Sequence, residues 1–309
     1  MIDRRPTVIG LGEVLWDLLP NGTQLGGAPA NFAYHAHALG AVAYPISRVG
    51  KDAPGDELLQ RLDALGLPTK CIQVDHEAPT GTVSVELMAG GQHRFTIHED
   101  VAWDRIEAEE RLLGLAASAD AVCFGTLGQR CNASRAAIQA IASSVPPDRL
   151  RIFDINLRQQ FYSREVIEQS LRIANVLKIN DEELPVVAAL LTVPGDTLDQ
   201  LGALAHTYDL QLVALTQGSQ GSVLYAGGHV SRVAGIPVAV SDTIGAGDAF
   251  TAAMTLGWLS GWDLDEINRR AGAVASFVCS QPGATPPLPP ELAAPFSSAW
   301  NLDPNLSGT

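Results

Sequence analysis

Nine consecutive residues, Asp242-Thr243-Ile244-Gly245-Ala246-Gly247-Asp248-Ala249-Phe250, join a turn of small residues to a carboxylate at its exit. They run into an almost wholly apolar segment that includes Ala252, Ala253, Met254, Leu256, Trp258 and Leu259. A segment apolar on every side is expected to be a buried helix. The turn then opens that helix, and the backbone N–H groups of Gly245, Ala246 and Gly247 gather near its N-terminus. The first four N–H groups of a helix lack intrahelical partners, and the helix dipole adds partial positive charge there. Glycine lets a backbone approach a ligand closely. Such a turn suits an anion such as a phosphoryl group. Asp248 places a carboxylate beside it. Two readings of Asp248 stay open from the residue alone. It complements the dipole, or it takes the proton from a hydroxyl that attacks the phosphate.

Other residues able to do chemistry are spread along the chain. Glu13 and Asp17 follow an apolar run at Val8–Leu11, and Gly26-Gly27-Ala28-Pro29-Ala30-Asn31 comes next. Asp154-Ile155-Asn156-Leu157-Arg158 and Lys178-Ile179-Asn180-Asp181-Glu182-Glu183 lie further on, followed by Gln217-Gly218-Ser219-Gln220-Gly221-Ser222. Glu182 and Glu183 also suit a solvated first helical turn. Two nucleotide signatures fail. Gly10-Leu11-Gly12 is followed by Leu15, so the dinucleotide fingerprint is absent. Gly50-Lys51 is followed by Asp52, and Pro45 stands where a phosphate-binding loop of Walker type needs glycine.

The elements that must position these residues read as an α/β chain. Val8–Leu11 is expected to be a buried strand. Pro29 suits the first turn of a helix through Leu39, stopped at Gly40. A second helix is expected over Pro54–Leu65, stopped at Gly66. Thr80–Leu87 alternates as a strand, Gly90-Gly91 reads as a hairpin turn, and Gln92–His98 returns. With residues near Val14–Gln24 these strands are expected to form a small lid sheet (segments 14–24 and 79–103), whose closure would exclude water from a phosphoryl transfer. Phe95 and Ile97 either cover the apolar face of a sugar or simply pack the hairpin. From Ile106 onward helices and strands alternate: helices over Ile106–Ala117, Ala133–Ala142 and Ser163–Ala174, strands over Ala121–Gly125, Arg151–Ile155, Val176–Ile179 and Gln211–Thr216. That is the pattern of a parallel sheet wrapped by helices, with ligands beyond the carboxyl ends of the strands. A last long helix is expected over Leu264–Ser280, and Ser297–Thr309 reads as polar and loose. No internal repeat or linker is visible, so 1–309 reads as a single domain.

Composition sets the outer limits. The 309 residues are 46% hydrophobic and 17% charged, enough for a sizeable core. A net charge of −14 and a pI near 4.8 argue against a nucleic-acid partner. No apolar run reaches the roughly 18 residues that span a bilayer. The charged start, with Glu13 and Asp17 interrupting the following apolar run, is not a signal peptide. A cytoplasmic protein with reduced thiols is expected. Cys71, Cys123, Cys131 and Cys279 contain no C-x-x-C pair, and Cys123 reads as core. His35 and His37 are expected to pack or meet solvent.

The Asp242–Phe250 run resembles the C-terminal motif of the ribokinase-like (PfkB) carbohydrate kinases, and the resemblance continues through most of the chain, from about Val8 to Pro289. It implies a ribokinase-like α/β fold: a mostly parallel central sheet flanked by helices, with a small β lid. It implies Asp248 as catalytic base, with Gly245, Ala246 and Gly247 stabilising the transferring phosphoryl. An acid after the first strand and the Gly-Gly…Asn segment bind substrate hydroxyls in the family, and the matching positions are Asp17, Gly27 and Asn31. Polar groups at that spacing suit a polyol, which needs paired donors and acceptors. Ser47-Arg48-Val49-Gly50 with Asp52 and Gly55 is similar to another family stretch.

Asp154–Arg158 is similar to the D-P-N-L-R of bacterial fructokinases and ketodeoxygluconate kinases, with Ile155 in place of proline, which makes Arg158 a substrate or phosphate contact. Asn180 and Glu183 match an N-x-x-E that helps place magnesium, partly through water. Lys178, Thr216, Gly218 and Gly221 fall in the nucleotide site implied by the resemblance. Gly272 stands where many relatives carry an adenine-side asparagine. Asp242 and Ile244 match a monovalent-cation site, K+ in the usual case. Gln281–Pro289 looks especially like bacterial fructokinases. The resemblance therefore implies ATP, Mg2+ and a sugar, with fructose first. Alternatives are 2-keto-3-deoxygluconate, ribose or a nucleoside as acceptor, or a sugar-binding protein that no longer catalyses. A homodimer through the lid edge is a further expectation, because edge strands tend to be paired or covered.

Overall fold

The computed structural model describes residues 4–19, 22–87 and 93–300. Its strands are β1 (Thr7–Leu11), β2 (Leu15–Leu19), β3 (Gly22–Gly26), β4 (Val42–Gly50), β5 (Ile72–Asp75), β6 (Thr82–Leu87), β7 (His93–Ile97), β8 (Ala121–Phe124), β9 (Leu150–Asp154), β10 (Val176–Asn180), β11 (Leu212–Thr216), β12 (Ser222–Ala226) and β13 (His229–Val233). Its helices are α1 (Ala28–Ala38), α2 (Ala53–Ala64), α3 (Glu110–Ser118), α4 (Asn132–Ser144), α5 (Arg164–Ile173), α6 (Glu183–Leu191), α7 (Thr197–Thr207), α8 (Ala246–Leu259), α9 (Leu264–Cys279) and α10 (Pro290–Ser298). Among the described residues the main sheet has nine strands in the order β13-β12-β11-β10-β9-β8-β1-β4-β5. Neighbours from β11 to β5 pair parallel, and β12 and β13 pair antiparallel at the far edge.

The inner strands are buried on both faces, as a parallel sheet covered by helices requires. Val8, Cys123, Ile152, Val176 and Leu212 join one core with α1, α2, α8, α9, α10 and Trp300. Ile9, Val122, Phe153, Leu177 and Val213 alternate to the other face and join α3 through α7. The strands deliver Glu13, Asp154, Asn180 and Thr216 at or just past their carboxyl ends. A second sheet of four strands, in the order β3-β2-β6-β7, stands apart from the first. In it β2 pairs parallel with β6, and both outer pairs are antiparallel. The predicted Gly90-Gly91 turn and the Phe95 side chain lie outside what the structure describes. Ile97 is buried in the core under the sheet.

The Arg48–Gly55 stretch turns out to be a joint. Asp52 caps α2 by accepting the Gly55 N–H at 2.8 Å, and it also accepts the Thr80 N–H at 2.8 Å just ahead of β6. Arg48 Nε lies 2.9 Å from Asp75 in an ion pair at the end of β5.

Two expectations need correction. The helix expected from Ile106 begins only at Glu110, because the Glu107 backbone is paired with the Gln73 side chain in both directions, at 3.0 Å each way. The segment expected to be loose from Ser297 is anchored as far as it is described. Ser297 ends in α10, and Trp300 is 1% exposed within the core. Burying an indole removes more apolar surface from water than the polar neighbours can offset. Strands β4, β5, β12 and β13 and helices α7 and α10 had no sequence expectation, and α6 had only the first turn that Glu182 and Glu183 suit.

Candidate active site

Helix α8 starts where the sequence places it. Gly245 is its N-cap with φ 79°, and a Cβ there would run into the carbonyl of Ala284. Glycine is therefore required twice at this position, by dihedral and by contact. Every residue from Ala249 to Gly257 is buried, as the unbroken apolar run implies. Asp248 sits in the first turn. Its Oδ2 accepts a hydrogen bond from Asn31 Nδ2 at 2.9 Å, across from α1. Asn31 is 3% exposed and its Oδ1 has no partner among the described residues. The pair thus presents an oriented carboxylate and a free acceptor side by side. Burial, reinforced by the Asp154 charge, pushes the Asp248 carboxyl up to about 6, while the Asn31 bond, Lys178 and Arg158 pull it down. A carboxylate with that proton affinity is ionised at neutral pH and matched to general-base work.

Lys178 supplies the cation under the turn. Its ammonium would lie 3.1 Å from a Cβ placed on Gly247, so it rests directly against the N-terminal turn of α8. Nζ is 3.1 Å from Asp154 Oδ1. Burial opposes the Lys178 charge, yet Asp154, Glu183 and Asp248 together hold its proton affinity above the usual lysine value. Asp154 Oδ2 in turn accepts from Thr251 Oγ1 at 2.8 Å, one helical turn past Asp248. Helix N-terminus and ammonium together form a cradle for anionic oxygens.

The residues expected to bind sugar hydroxyls come together around Asp248. Gly27 is the N-cap of α1 with φ 109°, and a Cβ there would press on Glu13 and Val14 backbone. Asp17 lies on β2 of the second sheet, half-buried, and burial pushes its carboxyl up to about 6 against the pull of Arg158. Arg158 is exposed and donates to the Leu157 carbonyl at 2.9 Å. Its charge acts on Glu13, Asp17 and Asp248 alike. Sequence reasoning noted Glu13 and Asp154 without giving either a role, and passed over Thr251. Glu13 was visible as a charge closing an apolar strand, whereas Thr251 gave no signal within its apolar helix.

Asn180 and Glu183 cap the start of α6 through side chain and backbone. Asn180 Oδ1 accepts the Glu183 N–H at 2.8 Å, and Glu183 Oε2 accepts the Asn180 N–H at 2.9 Å. Glu183 Oε1 accepts the Leu157 N–H at 2.9 Å. Each Glu183 oxygen keeps a further lone pair, which suits a metal-bound water better than the metal itself. Among the described residues no three His, Cys, Asp or Glu side chains form a metal-ready group. Asp242 turns inward, accepting the Ile244 N–H at 3.0 Å.

The loop after β11 closes on itself, with Gln217 N–H donating to Gly221 at 2.8 Å, and Gly218 and Gly221 both have positive φ. Thr216 ends β11, and its carbonyl accepts from Asp181 at 3.0 Å. Gly272 on α9 has open space where a Cβ would stand. The segment leading to the cradle exposes Ile236, Val238 and Val240, the last 64% exposed. His35 is buried against the Ala284 carbonyl at 2.9 Å and Cys123 lies in the core. No helix among the described residues is long and apolar enough to cross a membrane.

Comparison with known proteins places this geometry. The chain matches the family model described as pfkB family carbohydrate kinase over residues 21–291. An uncharacterized sugar kinase from Pyrococcus horikoshii is 30% identical over 267 residues, 84% of this chain and 82% of its own length. Its solved complex with ATP aligns with a TM-score of 0.75 at 28% identity, covering 90% of this chain and 93% of that one. The fructokinase of Escherichia coli is 30% identical over 285 residues, 86% of this chain and 91% of that protein. A fructokinase from Xylella fastidiosa, solved with bound ATP, has a TM-score of 0.83 at 20% identity, covering 96% and 99%. At that identity the likeness speaks for the fold.

Proposed function

The chain belongs to the pfkB family of carbohydrate kinases and is a phosphotransferase with a sugar as acceptor, and on that premise we propose that it carries the γ-phosphate of ATP to a hydroxyl of a neutral sugar, fructose before others. The observation that carries this reading is the Asp248 carboxylate, oriented by Asn31 at 2.9 Å in the first turn of α8 and backed by the Lys178 ammonium beneath Gly247. Asp248 takes the proton of the attacking hydroxyl. Gly245, Ala246 and Gly247 present N–H groups, and Lys178 a full charge, to the oxygens of the moving phosphoryl. Asp17, Gly27 and the free Oδ1 of Asn31 hold other hydroxyls of the sugar, and the second sheet shields the transfer from water.

The nucleotide lies over the Thr216–Gly221 loop, its adenine between Gly272 and the exposed apolar side chains of the 236–240 segment. Asn180 and Glu183 would help hold magnesium, partly through water, and the ion would supply charge neutralisation for the phosphates. A potassium ion near Asp242 and Ile244, a homodimer through the lid edge and a cytoplasmic setting complete the reading.

A neutral acceptor is favoured over an acid sugar by charge. Glu13, Asp17 and Asp248 all act on the one Arg158, so an acceptor carboxylate would enter a site already rich in carboxyls. Fructose and 2-keto-3-deoxygluconate competing in one vessel with ATP test this. We expect fructose phosphate to dominate, with kcat/KM higher by at least about tenfold, roughly 1.4 kcal/mol at the transition state. A dominant acidic sugar phosphate overturns the fructose reading.

A further inference from the structure

Below Asp248 the site narrows into a cavity of about 10 Å³, bounded by Glu13, Phe32, Cys123, Asp154 and Asp248. Three carboxyls thus border one small space, at the carboxyl ends of β1 and β9 and the N-terminus of α8. Glu13 is 3% exposed, and its Oε2 has no hydrogen-bond partner among the described residues. Gly128 leaves room at that oxygen: a Cβ there would lie 3.3 Å from Oε2. Asp154 Oδ1, on the same wall, is satisfied only by its ion pair with Lys178. A cavity of this size takes about one water molecule, and Glu13, Asp154 and Asp248 are the carboxyl residues on its wall. A buried carboxyl with an idle oxygen needs a use, since leaving it unsatisfied costs on the order of 1–3 kcal/mol.

We propose that Glu13 is a positioning residue that acts through Asp248 as its proton reservoir: the proton that Asp248 takes from the sugar hydroxyl crosses this cavity to the idle oxygen of Glu13. The inference rests on Asp248 being the base. The sugar O–H bond breaks as its oxygen bonds phosphorus, and the phosphorus–oxygen bond to ADP breaks with its electron pair leaving on ADP. Asp248 gains the proton and passes it to the ionised Glu13, ending ionised again, with Glu13 neutral. Glu13 gives the proton up to water once the products leave, and the carboxylate is restored for the next turnover.

The charged surroundings suit the transfer. Burial pushes the Glu13 carboxyl up to about 7, above Asp248 at about 6, with Arg158 pulling it down and the Asp248 charge pushing it up. Lys178 and Asp154 on the adjoining wall offset each other as an ion pair, and the Cys123 thiol is held neutral by burial. Glu13 is the more deeply buried of the two carboxyls, so burial favours its protonated form more strongly than that of the half-buried Asp248.

The test is the pH dependence of kcat/KM between pH 5 and 9, with the sugar that gives the highest turnover. Both carboxyls must be ionised in the free enzyme. The wild type is expected to fall on the acid side with a limiting slope of two, reflecting apparent ionisations near 6 and near 7 that belong to the pair. Glu13→Gln should reduce the slope to one and lower kcat/KM at pH 8 by on the order of tenfold, with the sugar KM unchanged. Glu13→Asp should keep the slope of two. A wild-type slope of one, or the same slope in wild type and Glu13→Gln, overturns the proposal; Asp17, also pushed up to about 6, titrates in both and cancels in that comparison, and Glu13→Ala replaces Glu13→Gln if the latter does not fold. Asp248→Asn run alongside separates the two ideas. If it is inactive while the wild-type slope is one, only the reservoir fails. If it retains wild-type turnover, the base reading fails as well.

Discussion

The two sides of the α8 N-terminus are made of different material. On the side assigned to the sugar, the working groups are side chains with fixed partners. Asn31 holds Asp248, and Thr251 holds Asp154, which pairs with Lys178 at the boundary between the two sides. On the side assigned to the nucleotide they are backbone and space: the Gly218 and Gly221 turn, the gap at Gly272, and the exposed 236–240 segment. A side built from buried polar partners discriminates sharply, because every missing hydrogen bond leaves an unpaired group. A side built from backbone and apolar surface depends on shape and tolerates changes of side chain. Single substitutions should therefore act very differently on the two.

The largest contrast is between two glycines. Gly245→Ala puts a side chain at φ 79° and against the Ala284 carbonyl, at the turn that faces the phosphoryl. Turnover is expected to fall by on the order of 10²–10³, as when a donor to a developing anion is displaced, and steady-state kinetics would show it. A loss of less than about tenfold would mean that the turn is not the anion cradle.

Next comes the partner of the base. Asn31→Ala removes the hydrogen bond to ionised Asp248, so kcat/KM at pH 7 should drop by on the order of tenfold or more. The sign of the pH effect follows from the geometry. The bond favours the ionised carboxylate and holds its proton affinity down. Its loss raises that affinity, and the acid limb of the pH profile moves to higher pH. A limb that stays in place would detach Asn31 from Asp248 in the working enzyme.

The smallest effect belongs to the nucleotide side. Gly272→Ala meets nothing within 4 Å and sits inside α9. It should stabilise the fold by about 0.5–1 kcal/mol, because alanine loses less conformational freedom than glycine in a helix. The KM for ATP should change by no more than about twofold. Thermal melts and ATP titrations check both, and a large rise in KM would show that the adenine packs against Gly272 with no room for a methyl group.

The same division explains what the sequence could show. The anion turn was legible because glycine, small residues and an apolar helix are contiguous from Asp242 to Leu259, and α8 begins within that run. The bounds of α1, α2 and α9 were legible from Pro29, Gly40, Gly66 and the spacing of apolar residues. The Asp154–Thr251 bond was not, since it joins residues 97 apart and the threonine gives no local sign of it. Glu13 could be seen but not its burial, which comes from α1 and β8 closing over it. Strand β4 was hidden because Pro45 interrupts its apolar pattern, although it pairs squarely with β1. Helix α6 showed only its first turn, at Glu182 and Glu183, because the near-continuous apolar run Leu184–Leu191 that follows has no helical period.

The central claim is that Asp248 is a base and not merely a partner of the helix dipole. Asp248→Asn, with turnover and calorimetric sugar binding measured on the same preparation, tests it most directly. The substitution removes the charge, keeps the shape, and leaves Asn31, Asp17 and Gly27 to hold the sugar. Sugar affinity is expected to stay close to wild type while kcat falls by on the order of 10²–10⁴. Sugar binding lost while kcat at saturation stays near wild type would contradict the account.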